Sequence, residues 1–552
     1  MASFLVFAVA MGLAASYLLT RLHRRYQRLR HIKGPILAAF TDLWRARIQF
    51  FGPIQPTLLD LHNKYGPVVR VGPNTVSFSD PADMATVFSA RSGFAKVRLP
   101  FHRACLWIQA ESYGGLRAFV GGKSVGSILD MGDDENRAVR RAMGNTFVTK
   151  NLLCYEDDVD ATLATLLQTL RRRAAAGTPF DLFQLLQLFQ LDFLLRMAFS
   201  EDPGHLRHER DVIGIAKVTH RRVAHWYAWQ PVPALERFVF QNPLWSERLL
   251  ALLSLLRRTP SLTRWHTEGA ARVAARQQQH QQKQEKQQLD EEEDPSHRPD
   301  LLARFFAASA AHPSAIRPAS LTGLVNSTIS AGADTTTSTL ATIIYCLAQA
   351  PAALAQLRAE LAAAGLTFPA GYAAVDATAL PYLDAVIKEA MRLFPNFAML
   401  FERVVPDDHG HPADHEGACP ACCRLANGKV AVPPGTVVGC APLVVHRDEA
   451  VFGEHADAFR PERWLPKPGE PADAARDRIV AMERTTMAWG LGSRTCLGRH
   501  VAEMEMKKVV PNLVSVFDFE LCNPKAEMKF EMGVLDGELS PTMVTVSERV
   551  IS

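Results

Sequence analysis

The chain has 552 residues, 48% of them hydrophobic, and a formal net charge of +4. This length allows a large buried core, and a nearly balanced charge without a basic, aromatic-interleaved stripe excludes nucleic acid as an expected partner. Nine cysteines without regular spacing exclude a disulfide framework and indicate a reducing compartment.

The N-terminus has the pattern of a membrane anchor. Residues 1–20 carry no charge, and several arginines and Lys33 follow them. This order predicts a single-pass anchor at 1–20, with the following domain in the cytosol, and about twenty residues suit the thin endoplasmic reticulum bilayer. Residues 21–35 are then a basic stop-transfer segment and hinge ending at Gly34-Pro35, and 36–552 a catalytic domain. A cleaved signal peptide is the alternative.

Residue patterns after the hinge predict a mainly helical fold. Residues 66–79 alternate around a Gly-Pro-Asn turn and predict a hairpin of a small sheet, whereas helical periodicity dominates residues 133–256. Residues 276–294 are rich in glutamine and then in acids, which indicates a solvated loop or helix extension without chemistry of its own. The fold class is therefore mainly α with small β-sheets.

Two helical segments carry polar residues of interest. Asn136 and Arg140 lie one turn apart in a helix that begins with an acidic turn. The apolar run 324–347 predicts a helix buried through a large domain. In it, Ala331 and Gly332 leave space beside the helix, and Asp334 followed by Thr335 pairs an acid with a hydroxyl. The alternative is a buried helix whose hydroxyls bond to its own backbone.

An acid and an arginine at helical spacing form the next motif. Glu389 and Arg392 are three residues apart, so they share a helix face and can pair. Arg463, in the segment 459–464, is a second arginine that could join them. The alternative is a solvated ion pair worth about 0.3–0.5 kcal/mol.

Histidines and cysteines are concentrated in the segment 407–430. A Cys-x-x-Cys there, near several histidines, offers zinc ligands, but the spacing of a closed four-ligand site is irregular. We favour a surface insertion over a zinc site. The residues concerned are His409, His411, His415, Cys419, Cys422 and Cys423.

The segment 489–498 places Cys496 in a glycine-punctuated loop before the helical stretch 501–517. A thiolate there is stabilised by the positive end of the helix dipole and is an anionic metal ligand. Gly490 permits backbone geometry that a side chain would obstruct, Gly498 allows close approach of a flat cofactor, and Arg494 offers a fork for a carboxylate. A buried structural cysteine is the alternative.

Taken together, these motifs resemble the cytochrome P450 family, and more weakly its fungal, pisatin-demethylase-like members. The resemblance implies the cytochrome P450 fold and a haem b whose iron is bound by Cys496. It implies a core triad of Glu389, Arg392 and Arg463, and proton delivery by Asp334 and Thr335. It assigns the haem propionates to Arg140, Arg403 and Asn136, although the family usually has Trp or His at position 136 and Phe at that of Trp489.

The resemblance implies a haem-thiolate monooxygenase that inserts one oxygen atom of O2 into a lipophilic small molecule in fungal secondary metabolism. Its electrons would come from NADPH–cytochrome P450 reductase at the endoplasmic reticulum membrane, and we expect a monomer. Basic contacts to the reductase could come from Arg499, Lys507 and Lys508, although a solvated helix face explains these residues equally well. Two alternatives stay open. One is a haem-thiolate isomerase, dehydratase or peroxide-user, and the other is a membrane-anchored zinc-binding interaction protein.

Overall fold

A computed structural model gives the architecture of most of the chain. It describes residues 2–52, 54–90, 92–96, 118–120, 123–125, 128, 131–240, 262–286, 298–366, 370–376, 380–397, 399–406, 423–528, 530–531, 534–535 and 542–549.

Helices make up most of the described chain. In order they are Ala2–Arg28, Leu43–Phe51, Ile54–Tyr65, Pro81–Phe88, Asp133–Met143, Thr149–Leu152, Glu156–Ala176, Leu182–Phe199, His205–His208, Ile215–Trp229, Pro233–Phe240, Leu262–Lys286, Leu301–Ala311, Leu321–Gln349, Pro351–Ala363, Pro381–Leu393, Pro442–Val445, Glu449–Phe452, Ala472–Thr485 and Arg499–Val516.

The described strands form small sheets beside the helices. A four-stranded sheet has the order Val68–Gly72, Thr75–Phe78, Val437–Cys440, Phe401–Val404, with its middle pair parallel. A three-stranded sheet has the order Phe517–Leu521, Met543–Glu548, Phe180–Asp181. Two-stranded pairs are Ala118–Val120 with Lys123–Val125, Cys423–Leu425 with Val430–Val432, and Phe530–Glu531 with Val534–Leu535. The predictions of a hairpin within 66–79 and of a mainly helical fold with small sheets are confirmed.

The helix Leu321–Gln349, here called the central helix, is buried along most of its length and lies in the core. The helix Leu182–Phe199 packs against it. This second helix is apolar on nearly every face, and its length and hydropathy would suit a membrane span, but 83% of it is buried inside the protein. It is therefore a core helix.

The N-terminal helix, Ala2–Arg28, extends past the predicted anchor at 1–20 into the basic segment. The buried Arg70 guanidinium donates to the carbonyl oxygens of Arg25 and Tyr26 at 3.1 and 3.2 Å, near the end of that helix. A Cβ on Gly34 would lie 2.1 Å from the Arg70 carbonyl oxygen, and the Arg70 N–H donates to the Lys33 carbonyl. The predicted hinge at 21–35 is thus helical at first and is then bonded to the sheet.

The structure describes only part of two other segments that the sequence analysis singled out. The described part of the glutamine-rich segment 276–294 belongs to the helix Leu262–Lys286. Of the two predicted alternatives, the structure there has the helix extension and not the loop. Most of the segment 407–430, including all its histidines, Cys419 and Cys422, lies outside the described residues, whereas Cys423 is buried in a strand. Among the residues the structure describes, no three His, Cys, Asp or Glu side chains are grouped to hold a metal ion.

Candidate functional site

The segment 489–498, here called the cysteine loop, folds back on itself. The Cys496 N–H donates to the Trp489 carbonyl oxygen at 2.7 Å, and the Gly490 N–H donates to that of Met487 at 2.9 Å. Gly490 and Gly492 have φ angles of 67° and 63°, in the left-handed region that favours glycine. This geometry leaves the Cys496 side chain exposed.

The protonation of Cys496 is set by opposing influences. Burial of its sulfur among neighbouring atoms raises the pKa of the thiol, even though the residue is open to solvent on one side. The Gly498 N–H and the charges of Arg140 and Arg499 act in the opposite direction and are weaker. The helix-terminal stabilisation expected from the sequence is therefore present, but it does not outweigh burial. A bound metal cation would supply the missing positive charge.

Arg494 and Arg140 converge beside the cysteine loop. Arg494 donates from Nε to Asp133 Oδ1 and from Nη2 to the Met131 carbonyl, each at 2.8 Å. Its Nη1 is buried and has no protein partner. Arg140 Nη2 donates to the Thr495 carbonyl oxygen at 2.8 Å. Burial lowers the pKa of Arg140, and so does the nearby charge of Arg494. Two neighbouring guanidinium groups, of which only Arg494 is paired with a carboxylate, favour a further anion at this place.

Asn136 lies behind Arg140. Its Oδ1 accepts from Arg140 Nε at 3.0 Å and its Nδ2 donates to the Ile128 carbonyl at 3.1 Å. The side chain is 2% exposed. The structure therefore places Asn136 as a support for Arg140 and not at an open surface where it could itself contact a propionate.

Arg403 is joined to the cysteine loop through Phe88. It lies in the strand Phe401–Val404, is buried, and its guanidinium stands 5.0 Å from the centre of the Phe88 ring. The Phe88 carbonyl oxygen in turn packs against Gly492, where a Cβ would approach it to 1.8 Å. A third arginine is thus placed near the same loop.

A cleft separates the central helix from the cysteine loop. Ala331 is exposed in the middle of this mostly buried helix. The Thr335 hydroxyl donates to the Ala331 carbonyl oxygen at 2.7 Å, which is the bond to the helix backbone that the sequence analysis considered. The cleft is partly open to solvent. Residues that line it include Thr335, Thr339, Phe394, Asn396, Trp489 and Ala502.

Asp334 and Thr335 face different surroundings. Thr335 lines the cleft, whereas Asp334 is 2% exposed and accepts a 2.8 Å bond from Gln187 of the helix Leu182–Phe199. Asn396 Nδ2 donates to the Thr335 carbonyl and to Thr339 Oγ1, both at 3.1 Å. The predicted acid–hydroxyl pair is adjacent in sequence, but the two side chains have separate partners.

Glu389, Arg392 and Arg463 meet in the interior. Arg392 makes a two-pronged contact with Glu389 at 2.8 Å for each bond, and Arg463 Nε donates to Glu389 Oε1 at 2.9 Å. Trp464 Nε1 donates to Glu389 Oε2 at 2.9 Å. Glu389 and Arg392 are fully buried, so the alternative of a solvated ion pair does not apply.

The structure contradicts the expectation that Lys507 and Lys508 are exposed basic contacts. Lys508 is fully buried and its ammonium group lies 2.6 Å from Glu156, with Asp160 at 2.8 Å. Lys507 is 7% exposed and lies 3.4 Å from Asp376. Arg499 is exposed and pairs with Glu503 one turn further on.

Four residues around the site were not recognised in the sequence. Asp133, Gln187, Asn396 and His446 each accept from or donate to a residue of the motifs. Asp133 is part of the acidic helix start that the sequence did show. The other three carry no local signal, because their partners are at least 41 residues away along the chain.

Comparison with known proteins identifies the family. Residues 43–541 match the sequence model of the family described as Cytochrome P450. The chain belongs to the cytochrome P450 family. The predicted family is confirmed, and the relatives that support it are named as monooxygenases.

Fungal relatives agree with this assignment. The cytochrome P450 monooxygenase mpaDE of Penicillium brevicompactum is 31% identical over 521 residues, covering 92% of this chain and 54% of that protein. A cytochrome P450 monooxygenase of Aspergillus terreus is 31% identical over 510 residues, covering 90% of this chain and 91% of the relative. The cytochrome P450 monooxygenase mfmA of Annulohypoxylon moriforme is 31% identical, with 96% and 93% covered. The chain thus spans about half the length of mpaDE.

Membership of the P450 family implies a haem, and the residues present fit one. Arg494 Nη1 is buried without a protein partner beside Arg140, which suits an anionic propionate. A Cβ on Gly498 would have no atom within 4 Å, so space is open beside the loop where a flat group could lie. Cys496 is an exposed residue of that loop and offers its thiol as the iron ligand.

Proposed function

We propose that this protein is a haem-thiolate monooxygenase whose iron is bound by Cys496. The observation that carries the proposal is the cleft between Thr335 of the central helix and the residues that flank Cys496, Trp489 and Ala502. When bound, the haem supplies the oxygen and electron chemistry, and a thiolate ligand favours cleavage of the bond between the two oxygen atoms.

The side chains around the cleft have distinct parts in this proposal. Arg494 and Arg140, with Arg403 nearby, would hold the haem propionates by charge-assisted hydrogen bonds. Trp489 and Ala502 would pack against the haem plane and exclude water. The Glu389–Arg392–Arg463 cluster would keep the protein behind the cysteine loop rigid.

Proton delivery is assigned to Thr335 and Asp334. The Thr335 hydroxyl donates its hydrogen to the Ala331 carbonyl oxygen. Its own oxygen, at the cleft wall, can therefore accept a hydrogen bond from a water or another proton donor. Asp334 is buried behind the cleft wall, where Gln187 donates a hydrogen bond to its carboxylate. After breaking that bond, Asp334 would supply further protons to the cleft. A proton relay of this kind favours oxygen activation over an isomerase or dehydratase, which needs none.

Electrons would come from NADPH–cytochrome P450 reductase, and the substrate would be a lipophilic small molecule of fungal secondary metabolism.

Membrane attachment through residues 1–20 is supported by the surface that follows the N-terminal helix. Tyr26 near the end of that helix stacks on Phe40, with ring centres 5.4 Å apart. Exposed apolar residues stand close to Phe40 in the sequence, with exposures of 80% for Ile36, 65% for Leu37 and 58% for Leu43. Such a surface next to an apolar helix suits a bilayer.

The test of the proposed function is the spectrum of the purified full-length chain after reduction and addition of carbon monoxide. A thiolate-bound haem should give the long-wavelength band, and Cys496→Ser should abolish it. An unchanged spectrum in the variant would refute the assignment of Cys496, and no haem absorbance at all would favour the zinc-binding alternative.

A second measurement separates the haem enzymes. Comparison of host extracts with and without the gene would identify a precursor that accumulates when the gene is absent. This precursor should have one oxygen atom fewer than the product. Conversion of that compound should require NADPH and reductase, with no rescue by hydrogen peroxide. Turnover without reductase would favour the isomerase, dehydratase or peroxide-using alternative.

A further inference from the structure

His446 joins two parts of the site that are far apart in sequence. It follows the short helix Pro442–Val445 and its side chain is fully buried. Its Nδ1 lies 2.9 Å from the main-chain carbonyl oxygen of Arg392, and its Nε2 lies 2.8 Å from the main-chain nitrogen of Met487. The imidazole thus bridges the end of the helix Pro381–Leu393 and Met487, two residues before the cysteine loop.

The partners fix one tautomer of the ring. A carbonyl oxygen can only accept, so Nδ1 carries the hydrogen, and the Met487 N–H can only donate, so Nε2 is the bare acceptor. In a charged imidazolium, Nε2 would also carry a hydrogen, and this N–H would face the Met487 N–H with no acceptor between them. Burial, together with the charges of Arg392 and Arg447, lowers the pKa of His446 to about 3, which agrees with a neutral ring. His446 is therefore a fixed bridge and not a proton carrier.

Each end of the bridge is tied to a group with a part in the site. Arg392 returns a bond from Nη1 to the His446 carbonyl oxygen at 2.6 Å and is itself held by Glu389. At the other end, the Met487 carbonyl accepts from Gly490 at 2.9 Å, within the same turn that lets Trp489 accept from Cys496 at 2.7 Å. A continuous set of bonds leads from the buried triad to the cysteine.

We infer that His446 is a positioning residue for the Cys496 thiolate. It transmits the rigid placement of the Glu389–Arg392–Arg463 cluster to the cysteine loop through the Met487 N–H. The inference rests on the proposed haem-thiolate function. Without this bridge, the segment that leads into the cysteine loop would be less constrained. A neutral ligand would then replace the thiolate more readily once haem is bound.

The competing explanation is that His446 only fills the core. Its ring packs against Phe452 with centres 6.4 Å apart, and any buried side chain of that size contributes to stability. The two explanations differ in which nitrogen matters. A packing role depends on ring volume, whereas the inferred role depends on the acceptor that faces Met487.

Two amide substitutions separate these explanations. His446→Asn keeps a donor near the position of Nδ1 and loses the acceptor at Nε2, whereas His446→Gln keeps an acceptor near Nε2 and loses the donor at Nδ1. His205→Gln is the control, because His205 is equally buried and its Nδ1 accepts from the Val212 N–H away from the cysteine loop. All variants are made in the full-length haem-loaded protein.

The readout is the rate at which the long-wavelength band of the reduced carbon-monoxide adduct converts to the short-wavelength band of a neutral ligand. We expect His446→Asn to raise this rate by about tenfold or more, since one buried N–H loses its acceptor. His446→Gln and His205→Gln should stay within about threefold of the parent at matched thermal stability.

The outcomes distinguish this inference from the proposed function. Equal rates for His446→Asn and His446→Gln, or a parent-like rate in His446→Asn, would overturn the inference while leaving the haem-thiolate assignment intact. A parent protein without the long-wavelength band would instead refute the proposed function. If His446→Asn yields no haem-loaded protein, His446→Gln must still show the thiolate band, and its failure to do so would count against the inference.

Discussion

Gly492 packs directly against the main chain of Phe88. A Cβ at position 492 would lie 1.8 Å from the Phe88 carbonyl oxygen, and the glycine has a φ angle of 63°. Both the close contact and the backbone conformation exclude a larger residue. We expect Gly492→Ala to lower the free energy of unfolding of the haem-free protein by about 2–4 kcal/mol, measurable by denaturant titration.

Gly498 in the same loop gives the opposite expectation. No atom lies within 4 Å of the position of its Cβ, and its φ angle of −85° suits any residue. Gly498→Ala should therefore leave the stability of the haem-free chain within about 0.5 kcal/mol of the parent. It should still weaken haem binding, because the methyl group would occupy the open space beside the loop. Haem titration of both variants measures this, and equal haem affinity in Gly498→Ala and the parent would contradict the assigned haem position.

Glu505 makes stability depend on pH. It is fully buried beside Gln190, and burial raises the pKa of its carboxyl to about 8, from 4.5 in a solvated chain. Between these values the folded protein keeps a proton that the unfolded chain releases, so the free energy of unfolding falls as pH rises, by up to about 1.4 kcal/mol per pH unit.

We therefore expect Glu505→Gln to gain stability relative to the parent as pH increases through this window, because the amide cannot ionise. Denaturant titrations at about pH 5.5 and about pH 7.5 measure the difference. A difference between the two proteins that is constant with pH would show that Glu505 is already ionised in the folded state.

Thr335 and Thr337 form a matched pair for the proton relay. Each hydroxyl donates to the carbonyl four residues earlier at 2.7 Å, but Thr335 lines the cleft and Thr337 is fully buried. Thr335→Ala should reduce product formed per NADPH consumed by about tenfold, with the balance appearing as peroxide. Thr337→Ala should change this ratio little. Similar losses in both variants would indicate damage to the helix and not to the relay.

Lys508 is expected to act on stability and not on reductase binding. Its buried ammonium group pairs with Glu156 and Asp160, and Lys508→Met would leave these carboxylates without their cation. The variant should lose about 3–5 kcal/mol of unfolding free energy. The rate of reduction by reductase in the surviving folded fraction should match the parent. A reduced rate at unchanged stability would restore Lys508 as a surface contact.

The sequence predicted residue types well where the chemistry is local. The cysteine loop carries its glycines, Arg494 and Cys496 within ten residues, and the Glu389–Arg392 pair follows from helical spacing alone. The long apolar run likewise predicted a central buried helix. Short-range geometry needs no knowledge of neighbouring elements.

Orientation toward other elements was beyond the sequence. Adjacent residues on a helix point about 100° apart, so Asp334 and Thr335 cannot share one wall, yet only packing determines that Asp334 meets Gln187 and Thr335 meets the cleft. In the sequence, Lys507 and Lys508 look like a solvated basic pair, because Asp376 and Glu156, which pair with them, are far away along the chain.

The amino-acid sequence by itself determined the family, the cysteine loop and the helical character of this protein, because each depends on residues close together along the chain. The tertiary structure alone decided what surrounds them: Phe88 against Gly492, and His446 between Arg392 and Met487. These contacts join segments that are 41 to 404 residues apart. Their hydrogen bonds and steric limits therefore exist only once the core has packed.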